Sequence, residues 1–358
     1  MKRIWLFLCL LWGISVNASP QHALALYGTP KYPSSFHHFD YVNPNAPQKG
    51  EIKFGVVGSF DSFNPFILKG NAPDGILLTY DTLMKNSDDE PFTQYGLIAD
   101  QIDLAPDRSW VSFHINPNAK FSDNSSVRPE DVDFSFRMLK EKGTPSYRYY
   151  YADVEKTEIL KDGWIRFVFK EGSQNRELPL ILGQLPILSK AYWEQRDFTQ
   201  TTSEIPVSSG PYIIDSFDMG KHIIYKKNPN YWAKDLNVNR GYYNFQKLRY
   251  EYFRDSSVAF EAFKSGAFDI RFENEAKRWA SLFHDKNVKS GRLKMVSFPN
   301  KMPSGMQGFV YNTRRDIFKN PYTRQALAYA FDFEWINAHL FHGFYQRTNS
   351  YFDNSVLK

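Results

Sequence analysis

Residues 306–335 read MQGFVYNTRRDIFKNPYTRQALAYAFDFEW, and this stretch decides how the chain is organised. Gly308 to Tyr311 predicts a short apolar strand that runs into a basic turn, Asn312-Thr313-Arg314-Arg315. A helix opens at Asn320-Pro321 and carries Ala326, Leu327 and Ala330 down one face. Strand, turn and helix in this order look like the start of a lobe, yet the sequence stops at Lys358, soon after Trp335.

Working outward, 358 residues suffice for two domains and a sizeable core, and 42% apolar with 23% charged residues is an ordinary soluble composition. Aromatics reach 17% and are spread throughout, which reads first as core material, with Tyr and Trp also suited to binding surfaces. The N-terminus has the pattern of a cleavable signal peptide: Lys2 and Arg3, an apolar run from Ile4 to Ile14 broken by Gly13, then Val16-Asn17-Ala18 before an expected cleavage after Ala18. That run is too short for an ordinary membrane span. The single cysteine, Cys9, lies inside it, so the mature chain carries none, which fits an oxidising compartment. Removing Lys2 and Arg3 lowers the formal charge from +5 to +3, too mild to suggest nucleic acid as a partner. The expectation is an exported, periplasmic protein.

Further patterns place mixed elements along the chain. Residues 30–50, rich in Pro, Asn and paired His, read as a surface loop, followed by a strand from Glu51 to Val57. Val111, Phe113 and Ile115 alternate as in a half-buried strand. Pro129 opens a helix with Glu130 and Asp131 in its first turn, a buried face of Val132, Phe136 and Leu139, and an end at Gly143. Arg128 is a poor N-cap there, so tertiary contacts must compensate. Hairpins are expected around Asp162-Gly163 and Asp218-Met219-Gly220. Asp255 should cap a helix through Val258, Ala262 and Phe263 that ends at Gly266. Hairpins mixed with helices, without strict alternation, indicate an α/β or α+β protein of more than one lobe.

Enzyme motifs are missing. Val207-Ser208-Ser209-Gly210-Pro211 lacks the first glycine of a nucleophile elbow and leads into a strand. There is no His-Glu-x-x-His, phosphate loop or dinucleotide fingerprint. His37-His38 in a Pro-rich loop reads as solvated rather than as a metal site, and no cofactor is expected. Binding has better material. The loop GSFDSFNPF, 58–66, could pair with an extended ligand main chain, or could be a tight turn whose Phe residues plug the core. The run Tyr147-Arg148-Tyr149-Tyr150-Tyr151 could line a cleft or cover a lobe surface.

Three segments carry a resemblance. FSDNSSVRPEDVDFSF, SSGPYIIDSFDMGKHIIYKKNPNYW and FKNPYTRQALAYAFD are similar to motifs of the family 5 extracellular solute-binding proteins, receptors of ABC importers for peptides and nickel. Asn124 and Arg128 stand where that family usually has Gly and Thr. DLNVNRGYYNFQKLRYEYFRD, GMQGFVYNTRR and FDFEWINAHLFHGFYQRTNSYF resemble the microcin C-type peptide-binding branch. The resemblance runs from about residue 40 to the last residue.

It implies an α/β, periplasmic binding protein type II-like fold of two lobes, with lobe I at 19–75 and 186–303, an inserted subdomain at 76–185, and a hinge strand with the start of lobe II at 304–358. In that family the second lobe continues further, so the chain looks C-terminally truncated, with apolar faces exposed around Leu327 and Trp335. The implied function is capture of oligopeptides between the lobes and delivery to an inner-membrane permease with its ATPase subunits, by a monomer and without catalysis. The expected ligand-binding residues are Phe60, Asp61, Ser62 and Phe63 on lobe I, with Gln307, Gly308, Phe309, Tyr311 and Asn312 on the hinge strand. Loop backbone would pair with peptide, aromatics would wall the cleft, and Asn312 would fix the hinge or bond the ligand; for Phe309, core packing is an equal alternative. The competing readings are a receptor for another ligand, such as an oligosaccharide or a metal chelate, and a remnant with no transport role.

Overall fold

The computed structural model describes residues 20–299 and 303–355; the signal-peptide reading of residues 1–18 lies outside them. The chain divides into two compact units, Met1–Ile270 and Arg271–Lys358.

The first unit holds three sheets. In one, β2 (Glu51–Val57), β11 (Lys247–Phe253), β10 (His222–Lys227) and β9 (Tyr212–Asp218) lie in that order. The β9–β10 hairpin turns at Gly220, whose φ of 75° suits glycine, and β2 runs parallel to β11 with Glu51 opposite Lys247. Ile223 and Tyr225 alternate inward on β10 and meet Phe60, Phe63, Tyr212 and Leu248 in one core. A second sheet has the order β5 (Ala99–Leu104), β6 (Trp110–Ile115), β8 (Trp164–Phe169), β7 (Val154–Ile159). Its β7–β8 turn places Asp162 and Gly163 in succession at φ 54° and 81°, as the sequence predicts. The third sheet joins β1 (Ala23–Ala25), β4 (Thr93–Gly96) and β3 (Met84–Asn86). Residues 30–50 are irregular as expected, but Tyr32 and Phe39 are buried with Tyr95 in a core of their own.

Helix α1 (Pro129–Lys142) begins after Arg128, and the missing cap is supplied from inside the helix. The Asp131 carboxylate accepts the Arg128 N–H at 2.9 Å through one oxygen and the Lys190 N–H at 3.0 Å through the other. Asp131 is therefore more than a dipole complement: it is buried and ties α1 to the short helix α4 (Lys190–Trp193). Helices α2 (Pro145–Tyr150) and α3 (Leu178–Gly183) complete this region. The tyrosine run splits by helical spacing: Tyr151 is buried against Phe136, while Tyr149 is exposed.

Asp255 caps α5 (Ser256–Ser265), accepting the N–H groups of Ser257 and Val258 at 2.9 Å, and Gly266 ends it at φ 87°. Ala259 and Phe260 point inward, and Val258 is 50% exposed.

In the second unit, α6 (Ala276–Leu282) and α7 (Lys286–Lys289) precede α8 (Asp316–Lys319), α9 (Pro321–Tyr329) and α10 (Phe333–His339). The Asn320 side chain accepts the Tyr322 N–H at 2.9 Å, so α9 opens where the sequence places it. The expected strand Gly308–Tyr311 does not form: residues 303–312 are irregular, and no strand exists among the described residues of this unit to pair with. A strand owes its existence to a neighbour's hydrogen bonds, which local sequence cannot supply. None of the residues of α8, α9 and α10 is buried; Leu327 is 44% and Trp335 54% exposed.

Asp131→Ala should lower stability by about 2 kcal/mol in urea unfolding, since two backbone donors lose a charged acceptor. An unchanged midpoint would mean that α1 and α4 are held together by apolar packing alone.

Candidate functional site

At the end of β2, Gly58 (φ 122°) donates its N–H to the Phe253 carbonyl at 3.0 Å, and the loop 58–66 then folds inward. Phe60 and Phe63 are fully buried, the first against Tyr252 (5.1 Å between centroids) and the second against Phe217 (4.8 Å). These rings fill the core and do not wall an open surface. Ser62 is also buried, its hydroxyl accepting the Asn64 and Thr202 N–H groups, both at 3.2 Å. The amides of Asp61 and Ser62 donate to the Asn71 carbonyl at 2.9 and 3.2 Å, and that of Phe63 to Thr202 at 2.7 Å. These three donors serve loop closure rather than a ligand strand. Asp61 alone of the four expected residues is exposed, and its carboxylate accepts the Asn71 N–H at 2.6 Å.

In the second unit, Gln307, Gly308 and Asn312 are exposed, and Phe309 is 86% exposed, so the core alternative for Phe309 fails. Tyr311 is half-buried with its ring 5.3 Å from Phe318. Asn312 shapes the turn: its side-chain oxygen accepts the Arg314 N–H at 3.1 Å and Nε–H at 3.2 Å, and its carbonyl accepts the Arg315 N–H at 3.0 Å. Gln307 to Asn312 stand on no ladder.

A second buried acid, Asp81, escapes the reading of the sequence. Asp81 lies between η-turn residues Ile76–Thr79 and β3, and its side chain accepts the Tyr231 hydroxyl at 2.9 Å and the Trp232 indole N–H at 3.1 Å. Its own N–H donates to the Ser209 hydroxyl at 2.9 Å, and its carbonyl accepts the Ile187 N–H at 3.0 Å. The serines of the rejected nucleophile elbow are thus structural. Gly210 follows them because a Cβ there would come within 2.6 Å of the Leu78 carbonyl oxygen. Burial pushes the Asp81 carboxyl up to about 7 and the nearby Lys85 amine down to about 7. Lys85 donates to the Asn239 side-chain oxygen at 2.9 Å and lies 3.5 Å from the Tyr242 ring centroid. The available signal was an acid in the otherwise uncharged run Tyr80-Asp81-Thr82-Leu83-Met84.

Among solved structures, NikZ from Campylobacter jejuni, in complex with Ni(L-His), superposes with a TM-score of 0.65 at 19% identity, covering 86% of this chain and 58% of that one. The oligopeptide-binding protein AppA from Bacillus subtilis, in complex with a nonapeptide, gives 0.62 at 21% identity, covering 84% and 57%. These likenesses define the fold class as α/β, of the type II-like periplasmic binding proteins, whose members have two lobes. A Brucella melitensis relative named as a binding protein is 44% identical over 95% of this chain and 57% of its own length. Agrobacterium fabrum YejA, named as a peptide-binding protein, is 41% identical over 93% of this chain and 56% of its own. Residues 93–358 match the bacterial extracellular solute-binding proteins, family 5 (middle), and the chain belongs to that family. It spans somewhat more than half the length of these relatives. Among the described residues no helix is long and apolar enough to cross a membrane.

Asp81→Ala should destabilise the protein by about 3 kcal/mol, because the Tyr231 and Trp232 donors lose their buried acceptor. Asp81→Asn, which keeps one acceptor oxygen, should fall between the two in thermal unfolding. Equal melting of all three proteins would remove Asp81 from its structural role.

Proposed function

We propose that this chain belongs to the periplasmic substrate-binding component of an ABC importer, which captures oligopeptides and presents them to an inner-membrane permease with its ATPase subunits. The observation that carries the reading is the 41% identity, over 93% of this chain, to a relative named as peptide-binding. The lobe boundaries at 19–75 with 186–303, 76–185 and 304–358 are part of the same proposal.

Main-chain recognition suits the exposed segment. A stretch of backbone outside any ladder, Gln307 to Asn312, can add an extended peptide by strand pairing, and this type of contact reads no side chain. Bridging water then accommodates varied side chains around it. On loop 58–66, Asp61 is the member with an exposed charge, and it would meet a ligand donor. Phe60, Ser62 and Phe63 support the loop from beneath. Phe309, standing clear of the core, would lie against the ligand, and Asn312 holds the turn that follows.

A ligand that binds only the folded state adds about 2.7 kcal/mol at a hundredfold excess over Kd. A mixed tri- to hexapeptide pool should therefore raise the melting temperature of the 19–358 chain by several degrees, and oligosaccharides should not. Asp61→Ala should weaken peptide binding about tenfold by calorimetry, or about 1.4 kcal/mol. A shift with sugars alone would reassign the ligand class, and unchanged affinity in the variant would take Asp61 out of the site.

A further inference from the structure

A pocket of about 370 Å³ opens in the first unit beside the edge strand β3. Lys85, Asp88, Thr82, Asn86, Gln184 and Tyr242 line it, and it shares no residue with loop 58–66 or with Gln307–Asn312. Its size is that of a small-ligand site.

Lys85 and Asp88 stand at this pocket without a direct ion pair, and the buried Asp81 carboxyl also lies within electrostatic reach of Lys85. The Lys85 amine, which burial leaves only part-charged at neutral pH, meets neutral groups: the Asn239 side-chain oxygen at 2.9 Å, the Tyr243 hydroxyl at 3.4 Å and the Tyr242 ring face at 3.5 Å; an α-carboxylate beside it would hold its charged form. Asp88 accepts the Tyr242 hydroxyl at 2.9 Å, and its N–H donates to the Tyr41 hydroxyl at 3.1 Å. One tyrosine therefore carries the Lys85 amine on its face and the Asp88 carboxylate at its hydroxyl, and holds them apart. Tyr242 is itself fixed by the Tyr41 hydroxyl at 3.0 Å and by its edge-on contact with the Tyr41 ring.

We propose that this pocket binds a free amino acid as its zwitterion, the α-carboxylate on the Lys85 ammonium and the α-ammonium on Asp88. Each alternative charge type meets a like charge. A simple anion such as phosphate would face Asp88, and a simple cation would face Lys85, whereas an uncharged ligand would desolvate both without pairing either. The Asn86 and Gln184 amides add donors for the carboxylate oxygens, while the Thr82 hydroxyl is spent on the Met84 carbonyl at 2.6 Å.

Titration calorimetry on the 19–358 chain with glycine, L-alanine, L-glutamate and L-phenylalanine tests this. At least one should bind saturably at one per chain, and its analogues lacking either the carboxylate or the amine should bind about tenfold more weakly or not at all. Lys85→Met and Asp88→Asn should each cause a loss of the same order. Asp88 is exposed, so its variant keeps the test decisive where the Lys85 change disturbs the buried cluster. No saturable binding by the four amino acids, or binding that Asp88→Asn leaves unchanged, overturns the proposal. Peptide binding is a separate readout: it should survive in Asp88→Asn, so failure of the peptide reading and failure of this one are distinguishable.

Discussion

A carboxyl group taken out of water must be satisfied by the protein around it; the Asp81 side chain is met by one stretch of chain, and its backbone ties in two more. Its side chain gathers Tyr231 and Trp232, separated from it by 150 and 151 residues, and its backbone holds Ser209 and Ile187. Few mispaired arrangements of these segments could satisfy the same acid, so the node favours one packing of β3 against the Asn228-Pro229-Asn230-Tyr231-Trp232 run. Lys85 and Asn239 extend it outward, with Asn239 also donating to the Tyr231 hydroxyl at 3.0 Å. The polar ends of large aromatics thus become the means by which distant segments are joined.

What the sequence revealed was local. Asp162-Gly163 and Gly220 mark hairpins because positive φ is a property of the residue, and Asp255 and Asn320 mark helix starts because a cap needs only the next turn. What it concealed was relational. Phe60 and Phe63 are aromatic on either reading, and only the packing against Tyr252 and Phe217 sends them inward. On α5, Ala259 and Phe260 are buried and Val258 is half exposed, a choice that composition does not settle because all three are apolar. Gly308–Tyr311 has strand composition but no ladder. Asp81 carried a visible signal, an acid in an otherwise uncharged run, but its partners lie too far along the chain to be read from spacing.

Of the expected binding groups, the structure separates scaffold from surface. Phe60, Ser62 and Phe63 build the loop, with Asp61 closing it through Asn71 while keeping an exposed carboxylate. Gln307, Gly308, Phe309 and Asn312 lie exposed on the second unit, and Tyr311 anchors their segment on Phe318. A family 5 solute-binding protein needs no chemical step, and these groups offer hydrogen bonds and apolar area rather than an activated nucleophile. The proposed peptide reading therefore rests on exposed backbone that can be extended by a ligand, supported by one 41% identical relative named as peptide-binding.

The most direct measurement is native mass spectrometry of the protein purified from its own cell envelope, followed by release and sequencing of whatever travels with it. The peptide reading predicts a family of short peptides of varied side chains at one per chain, lost on unfolding. A bound oligosaccharide or metal chelate, or a chain that carries nothing and takes up no peptide when supplied, would contradict it.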